Sequence, residues 1–300
     1  MGGVVLTRDN KKSQIEFIKR TAIIALFSDD HLMNIFVLKG GNAIDLILNI
    51  NERSSMDLDF SIENDFSEEE LDQIKLRIER TLENTFKTHG FVVFDLSFQK
   101  RPEIIPDSIK EFWGGYQIEF KVIDMVKKGF AKNLNDLRRR AEIIGNKQQK
   151  KIKVDISKYE YCIPKIEKEI DGYTIYIYSP EMIVCEKLRA ICQQMPEYIE
   201  KTGNRKPSAR ARDFFDIYHV SKNFGIDLAE EENSRLLKLI FEAKRVPLHL
   251  IGQIEKEKEF HSHDFIAVKD TVRSNKIEDF AFYFEYVVNM TKGLKPLWEI

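Results

Sequence analysis

The chain has 300 residues, of which 43% are hydrophobic and 32% are charged, and its formal net charge is −2. This balance excludes a disordered chain, a collagen and a coiled-coil rod, and it predicts one large domain or two ordinary domains. Because the total charge is close to neutral, any contact with nucleic acid has to come from a local basic patch.

The cysteines and the hydropathy pattern indicate where the protein acts. The three cysteines, Cys162, Cys185 and Cys192, match neither a metal-binding pair nor a disulfide framework, which favours a reducing compartment. No apolar stretch approaches the roughly 18 residues of a membrane span. We therefore expect a cytoplasmic protein with no membrane contact.

Hydrophobic periodicity predicts mixed helices and strands over the first 180 residues. In chain order we predict a helix over 10–28, a strand over 35–38, a helix over 43–48, a strand over 56–61, a helix over 67–89, strands over 91–99 and 116–123, a basic helical segment over 133–145, and a strand over 151–157. Residues 172–178 are predicted as a last strand or as one arm of a hairpin. Ser67 and Glu70 have the spacing of a capping box at the start of the fifth element.

The pattern becomes helical after Ser179-Pro180. Predicted helices cover 180–195, 208–223, 231–245 and 276–292. The change predicts a domain boundary near 178–180, with an N-terminal domain over 1–179 and a helical C-terminal domain over 180–300.

Gly40, Gly41 and Asn42 connect a predicted strand directly to a predicted helix. Glycine permits a tight turn, and the N-terminus of a helix attracts anions, so these three residues could hold a phosphate. Many ordinary strand-to-helix turns also contain two glycines, so the motif alone leaves both interpretations open.

Asp57 and Asp59 lie two residues apart in a predicted strand, and their side chains therefore share one face. Two adjacent carboxylates repel each other, and a divalent cation such as Mg²⁺ or Mn²⁺ relieves that repulsion. The alternative is an exposed edge strand with alternating polar residues. The position shortly after the glycine turn favours the metal site.

Asp155 lies on the polar face of the strand over 151–157, whose other face carries Ile152, Val154 and Ile156. If this strand pairs with the one that contains Asp57, three carboxylates converge as ligands of a two-metal site. A plain solvent-facing aspartate remains the alternative.

These motifs resemble the AbiEii/AbiGii toxin family of nucleotidyltransferases, within the DNA polymerase β-like superfamily. The resemblance is carried by LKGGNA at 38–43 and RSSMDLDF at 53–60, and it continues in KVDIS at 153–157, EKLRA at 186–190 and RDFFDIY at 212–218. Asn42 stands where the family usually has Thr or Ser.

The resemblance implies a fold, a set of site residues and a substrate. The expected fold is α+β or α/β, a polymerase β-like core with a short mixed sheet and a helical C-terminal domain that completes the cleft. The implied catalytic residues are Asp57, Asp59, Asp155, Lys187 and Asp213, of which the first three would bind Mg²⁺ or Mn²⁺. The implied nucleotide-binding residues are Lys39, Gly40, Gly41, Asn42, Arg53, Ser55 and Arg212.

Two features of the sequence can each be interpreted in two ways. Lys187 and Asp213 could contact the nucleotide, or Lys187 could form an interhelical ion pair with Asp213 or Asp216. The basic run Leu137–Arg140, with further lysines up to Lys153, could bind an RNA backbone or form a solvated helix face.

The resemblance implies transfer of a nucleoside monophosphate from an NTP to an acceptor hydroxyl. The expected acceptor is RNA, notably a tRNA end, and the expected role is that of a toxin in a toxin–antitoxin or phage-defence pair with a cognate antitoxin. One alternative acceptor is a protein or a small molecule such as an aminoglycoside. Another alternative is a nucleotide-binding module without turnover.

Overall fold

A mixed sheet of seven strands forms the centre of the protein in the computed structural model, which describes residues 8–48, 57–145, 148–203, 206–271 and 277–299. The strands are β1 (Val37–Lys39), β2 (Leu58–Ser61), β3 (Phe91–Arg101), β4 (Gly115–Asp124), β5 (Ile152–Ser157), β6 (Ile166–Ile170) and β7 (Tyr173–Ile177). Their order across the sheet is β3-β4-β5-β2-β1-β7-β6.

Helices surround this sheet and make up most of the second half of the chain. They are α1 (Arg8–Phe27), α2 (Asp30–Ile35), α3 (Gly40–Leu48), α4 (Glu68–Thr88), α5 (Met125–Gly129), α6 (Leu134–Arg140), α7 (Pro180–Cys192), α8 (Pro196–Thr202), α9 (Ala211–Phe224), α10 (Glu231–Ala243), α11 (Lys258–Ser262), α12 (Phe265–Thr271) and α13 (Phe280–Lys292). Short 3₁₀ segments cover Leu248–Glu257 and Lys295–Leu297.

Strand β2 lies in the middle of the sheet, and the pairing of this strand with its neighbours fixes the position of its acidic residues. It pairs antiparallel with β1 and parallel with β5. Leu58 and Phe60 of β2 are fully buried, as the alternating pattern predicts. Strand β5 alternates in the same way, so the polar faces of both strands open on the same side of the sheet.

Most predicted elements are confirmed, with small shifts at their ends. Helix α4 begins after the predicted capping box, in which Ser67 and Glu70 each bond the backbone of the other. Gly90 follows this helix with φ of +78°, in the left-handed region that suits glycine. The sheet is mixed, as expected, but its seven strands make it larger than the short sheet that we predicted. Strand β6 was not predicted; it forms a hairpin with β7.

The sheet and the later helices share one continuous hydrophobic core. Helix α7 supplies Val184, Leu188 and Ile191 to that core, and all three are buried completely. The domain boundary near 178–180 stays a prediction. Among the described residues, no helix is both long and apolar enough to cross a membrane.

Candidate active site

The turn between β1 and α3 brings the backbone into contact with Asp59. Lys39 ends the strand and Gly40 begins the helix. Gly40 has φ of +67°, and a β-carbon at this position would lie 2.5 Å from Asp59 Oδ2. Position 40 therefore requires glycine for two reasons, its backbone conformation and the space that the Asp59 carboxylate occupies.

Asp59 and Asp155 face each other on adjacent parallel strands. The register of β2 and β5 pairs these two residues directly, which confirms the strand pairing on which the predicted acidic site depends. Burial, opposed by Lys39 and reinforced by the carboxylates of Asp155, Glu186 and Asp57, raises the pKa of Asp59 to about 6. Asp59 thus lies in a cluster of like charges that favours a counter-ion.

Asp57 lies one residue before β2 and is exposed to solvent. Its carbonyl oxygen accepts a 2.6 Å hydrogen bond from Nδ2 of Asn42, which is buried in the first turn of α3. Asn42 therefore ties the start of β2 to the glycine turn. Its predicted contact with a phosphate stays a prediction. Arg53 and Ser55, which we also predicted to bind the nucleotide, lie outside the described residues.

The chemistry of these side chains suits a divalent metal. Within the described part of the chain, no group of three or more His, Cys, Asp or Glu side chains is arranged so that it could hold a metal ion alone. Mg²⁺ in nucleotide-dependent enzymes, however, is commonly bound by one or two carboxylates together with phosphate oxygens of the substrate. Asp59 and Asp155 provide two such carboxylates next to each other, and the repulsion that raises the pKa of Asp59 is what a cation would relieve. The residues therefore fit a metal that is held jointly with a nucleotide.

Lys39 connects the glycine turn to the carboxylates around it. Its Nζ donates to Ser157 Oγ at 3.1 Å and to Glu160 Oε1 at 3.4 Å, and it lies 3.9 Å from Glu186 Oε1. Burial lowers the pKa of Lys39, but the charges of Glu160 and Glu186 more than offset this effect, so its pKa is raised. Lys39 is therefore a fixed cation beside the acidic pair.

Glu160 is the centre of a buried ionic network that the sequence did not reveal. It accepts hydrogen bonds from Arg189 at 2.7 and 3.2 Å, and Nζ of Lys244 lies 3.6 Å away. Burial opposes ionisation of Glu160, but Arg189, Lys244 and Lys39 hold its pKa well below the usual range. Burial also lowers the pKa of Lys244 to about 8. No local pattern marks Glu160 or Lys244, because each gains its partners only when distant segments pack together.

Lys187 bridges two acidic residues of helix α9. Its Nζ is 2.9 Å from Asp213 Oδ1 and 2.7 Å from Asp216 Oδ2, so the interhelical ion pair that we considered is present. Arg210 is also paired with Asp213, at 2.7 Å. This contact does not test a catalytic role for Lys187 or Asp213, which stays a prediction. Arg212 lines a separate cavity of about 210 Å³ together with Asp213 and Asp264.

A cleft of about 550 Å³ opens beside the acidic pair. The described residues that line it include five cations and three carboxylates, which are Lys39, Arg101, Arg189, Arg210 and Lys244, and Asp155, Glu160 and Glu186. The cleft is therefore net positive in a chain whose formal charge is −2, a distribution that favours a polyanionic ligand. Glu186 and Arg189 line the cleft, although the sequence had singled out their neighbour Lys187.

The basic run over 137–140 is largely compensated by acidic partners. Arg138 forms a two-pronged hydrogen bond with Asp95, and Arg139 and Arg140 pair with Asp136. Lys151, further along, pairs with Glu119. These contacts favour a solvated, ion-paired surface over an RNA-binding surface at this place.

Solved structures and a family model resemble this chain. A crystal structure of JHP933 from Helicobacter pylori is 19% identical, covers 98% of this chain and 95% of its own, and gives a TM-score of 0.47. A candidate nucleotidyltransferase from H. pylori is 18% identical over 98% of both chains, with a TM-score of 0.46. An antigenic nucleotidyltransferase-like protein from Paracoccidioides brasiliensis is 15% identical over 76% of this chain and 92% of its own, with a TM-score of 0.38.

A search of curated proteins gave no match. The model of the family described as "Nucleotidyl transferase AbiEii toxin, Type IV TA system" matches residues 22–285, which include the glycine turn, both acidic strands and helices α7 and α9. The chain therefore belongs to the AbiEii family, the nucleotidyltransferase toxins of type IV toxin–antitoxin systems.

Proposed function

We propose that this nucleotidyltransferase moves a nucleoside monophosphate from an NTP to a hydroxyl group of RNA, with a tRNA end as the preferred acceptor and Mg²⁺ (or Mn²⁺) as the cofactor. The acceptor oxygen forms a bond to the α-phosphorus, its proton is lost, and pyrophosphate leaves. As a toxin the enzyme would block translation, a role that suits phage defence under the control of a cognate antitoxin. The family supports the transferase and toxin parts of this proposal.

The observation that carries the proposal is the direct pairing of Asp59 with Asp155 beside the Gly40 turn. The pair would supply oxygen ligands for the metal, and the turn places the N-terminus of α3, which favours a phosphate, beside them. Phosphoryl transfer depends on position and on charge neutralisation more than on covalent chemistry by the protein. This arrangement provides both requirements in one place.

Each side chain around the pair has a distinct task in the proposed reaction. Asp59, Asp155 and Asp57, together with phosphate oxygens of the nucleotide, would hold the divalent metal, which neutralises charge on the phosphates when it is bound. Lys39 is fixed by Ser157 and Glu160 and would stabilise negative charge on the phosphates. Gly40, Gly41 and Asn42 form the first turn of α3 and would keep the triphosphate close to these groups.

The test compares the wild type with Asp155→Asn and with the control Asp107→Asn. Asp107 is an exposed aspartate whose side chain is 92% accessible and which pairs only locally with Lys110. Each protein is incubated with total tRNA, Mg²⁺ and each α-³²P-labelled NTP in turn, and the products are separated on a denaturing gel. We expect label on RNA with the wild type and with Asp107→Asn, and a loss of at least about 10²-fold with Asp155→Asn.

The same gel distinguishes the alternatives. Label on protein, or on a small molecule such as an aminoglycoside when these are supplied, would replace RNA as the acceptor. If the protein binds nucleotide with Mg²⁺ present, but no acceptor becomes labelled and no pyrophosphate is released with any NTP, it is a nucleotide-binding module without turnover and the proposal is wrong.

A further inference from the structure

Trp113 lines the same cleft as Asp155 and Lys39, at the opposite end of strand β4 from the basic segment. Its ring is half-buried. No motif of the sequence identifies this residue, because it lies in an irregular segment between β3 and β4. Its position becomes informative only through the strands beside it.

The register of the sheet relates the position of the acidic pair to that of Trp113. Gln117 of β4 pairs with Asp155, and its Nε2 donates to Asp155 Oδ1 at 2.8 Å. Gly115 pairs with Ser157 and is the first residue of β4. Trp113 lies two residues before the strand, and it lines the cleft together with Gly115, Ser157 and Asp155. The cleft therefore extends from the Asp155 carboxylate past the start of β4 to the indole ring.

The floor of the cleft along this path consists of backbone. A β-carbon at Gly115 would lie 1.9 Å from the carbonyl oxygen of Ile156, and one at Gly114 would lie 2.4 Å from Ile105 Cδ1. Gly114 also has φ of +104°, which side-chain-bearing residues rarely adopt. The two glycines therefore let this stretch of backbone pack directly against Ile156 and Ile105, and backbone forms part of the lining of the cleft between Asp155 and Trp113.

The segment that carries Trp113 is braced against the helical half of the protein. The ring lies 6.3 Å from that of Tyr198, whose hydroxyl donates to the Lys244 carbonyl at 2.7 Å. Next to it, the guanidinium of Arg245 lies 4.6 Å from the Phe112 ring. A rigid aromatic ring at the edge of a cleft is well suited to bind another flat ring, because little conformational entropy is lost.

We propose that Trp113 is a stacking platform for the base of a nucleotide whose phosphates lie at Asp59 and Asp155. Aromatic stacking combined with a positively charged groove is the usual means of holding nucleotides with little base preference. The inference rests on the proposed function, since it describes how the same cleft holds the base. The base belongs either to the incoming NTP or to the end of the acceptor RNA, and the experiment separates these sources.

The chain has only two tryptophans, Trp113 and Trp298, so each can be observed separately by fluorescence. The variant W298F retains Trp113 as its only tryptophan, and W113F retains Trp298. Both are titrated, with Mg²⁺ present, with each NTP, with a tRNA acceptor-stem oligonucleotide, and with inorganic tripolyphosphate, which has no base. W113F corrects for absorption of light by the nucleotides.

We expect saturable quenching of Trp113 by a base-bearing ligand and none by tripolyphosphate. Quenching by NTP assigns the platform to the donor nucleotide, and quenching by the oligonucleotide alone assigns it to the acceptor. If neither ligand quenches Trp113, or if tripolyphosphate quenches it equally, the inference is wrong.

Kinetics provide a second readout in the labelling assay. W113L should raise KM for the quenching ligand roughly 5- to 150-fold while kcat changes little, and W113F should restore most of the affinity. An unchanged KM in W113L would overturn the inference that Trp113 is a stacking platform. If nucleotide is transferred but Trp113 is not quenched, the proposed function stands and the stacking role of Trp113 is wrong. If NTP quenches Trp113 but no acceptor is labelled, the stacking role stands and the proposed function is wrong.

Discussion

Gly40 in the β1–α3 turn lies so close to Asp59 of strand β2 that a β-carbon at position 40 would be only 2.5 Å from Asp59 Oδ2. The glycine turn is therefore packed against the acidic strand, and a side chain at position 40 would displace the Asp59 carboxylate. In the sequence they are two separate motifs. Their close approach explains why the helix begins with a glycine in the left-handed region of φ.

Gly40→Ala should inactivate the enzyme without unfolding it. The methyl group displaces the Asp59 carboxylate, and alanine at φ of +67° costs about 1–2 kcal/mol. Displacement of a reacting group by about 1 Å lowers rates by about 10²-fold, and we expect a loss of this size in labelled RNA. Gly129→Ala is the matched control, because Gly129 has open space around it and an ordinary φ. Equal activity in the two variants would show that the contact has no functional role.

Asp59→Asn should stabilise the metal-free protein while it abolishes transfer. The pKa of Asp59 in the folded protein is about 6, above its ordinary value of 3.8, so the ionised carboxylate weakens the fold. The stability of the wild type therefore falls as the pH rises from about 4 to above 6, and the variant lacks this fall. In EDTA at pH 8 we expect a gain of about 1–3 kcal/mol in the free energy of unfolding.

Urea denaturation of both proteins between pH 4 and 8 measures this difference, which should vanish near pH 4. Mg²⁺ together with an NTP should then raise the Tm of the wild type but not that of Asp59→Asn, because only the wild type retains the metal ligand. A stability difference that does not depend on pH would contradict the assignment of the raised pKa to Asp59.

Glu160→Gln should destabilise the protein strongly. The substitution leaves Arg189, Lys39 and Lys244 buried around a neutral amide, and removal of one partner from a buried ion pair typically costs about 3–5 kcal/mol. Glu111→Gln is the control, since Glu111 forms an exposed pair with Arg245 that is worth less than about 1 kcal/mol.

The pH dependence of this effect has the opposite sign to that of Asp59. The pKa of Glu160 is held below its ordinary value of 4.5, so its contribution is complete above pH 4.5 and is lost as the pH falls towards the folded-state pKa. The difference in stability between the wild type and Glu160→Gln should therefore shrink between pH 5 and pH 3. Thermal unfolding across this range tests it, and a constant difference would argue that the hydrogen bonds matter and the charge does not.

Lys187→Met separates the structural role of Lys187 from its predicted catalytic role. Its loss leaves Asp213 and Asp216 close together and buried, which should cost about 3–5 kcal/mol. The double variant Lys187→Met/Asp216→Asn removes one of the two charges and should recover part of that stability. If Lys187 also acts on the nucleotide, the double variant stays inactive at a temperature where it is folded. Recovery of transfer along with stability would assign a purely structural role to Lys187.

The local elements of the site could be predicted from the sequence because each depends on short-range patterns. The alternation over 151–157 predicted β5 and the orientation of Asp155, and Ser67 with Glu70 predicted the start of α4. The order of glycine turn, acidic strand and third acid also indicated the family. Predicting these features requires only the 2-residue period of strands and the 3.6-residue period of helices.

Other features depended on packing between distant segments, which no local pattern records. Arg189 and Glu160 are 29 positions apart, and their ion pair forms only when α7 packs against the segment that follows β5. Strand β6 lacks a continuous apolar face, so only its pairing with β7 defines it.

The sequence by itself determined that a glycine turn would lead from a strand into a helix and that Asp155 would lie on the polar face of its strand, because side-chain types and their spacing fix which groups share a face. Only the tertiary structure decided that Gly40 contacts Asp59, that Asn42 bonds the Asp57 backbone and that Glu160 ties Lys39 to Arg189. The same packing made Trp113 part of the lining of the cleft. These contacts arise from the burial of apolar surface between sheet and helices, a force that is non-directional and therefore leaves no motif in the sequence.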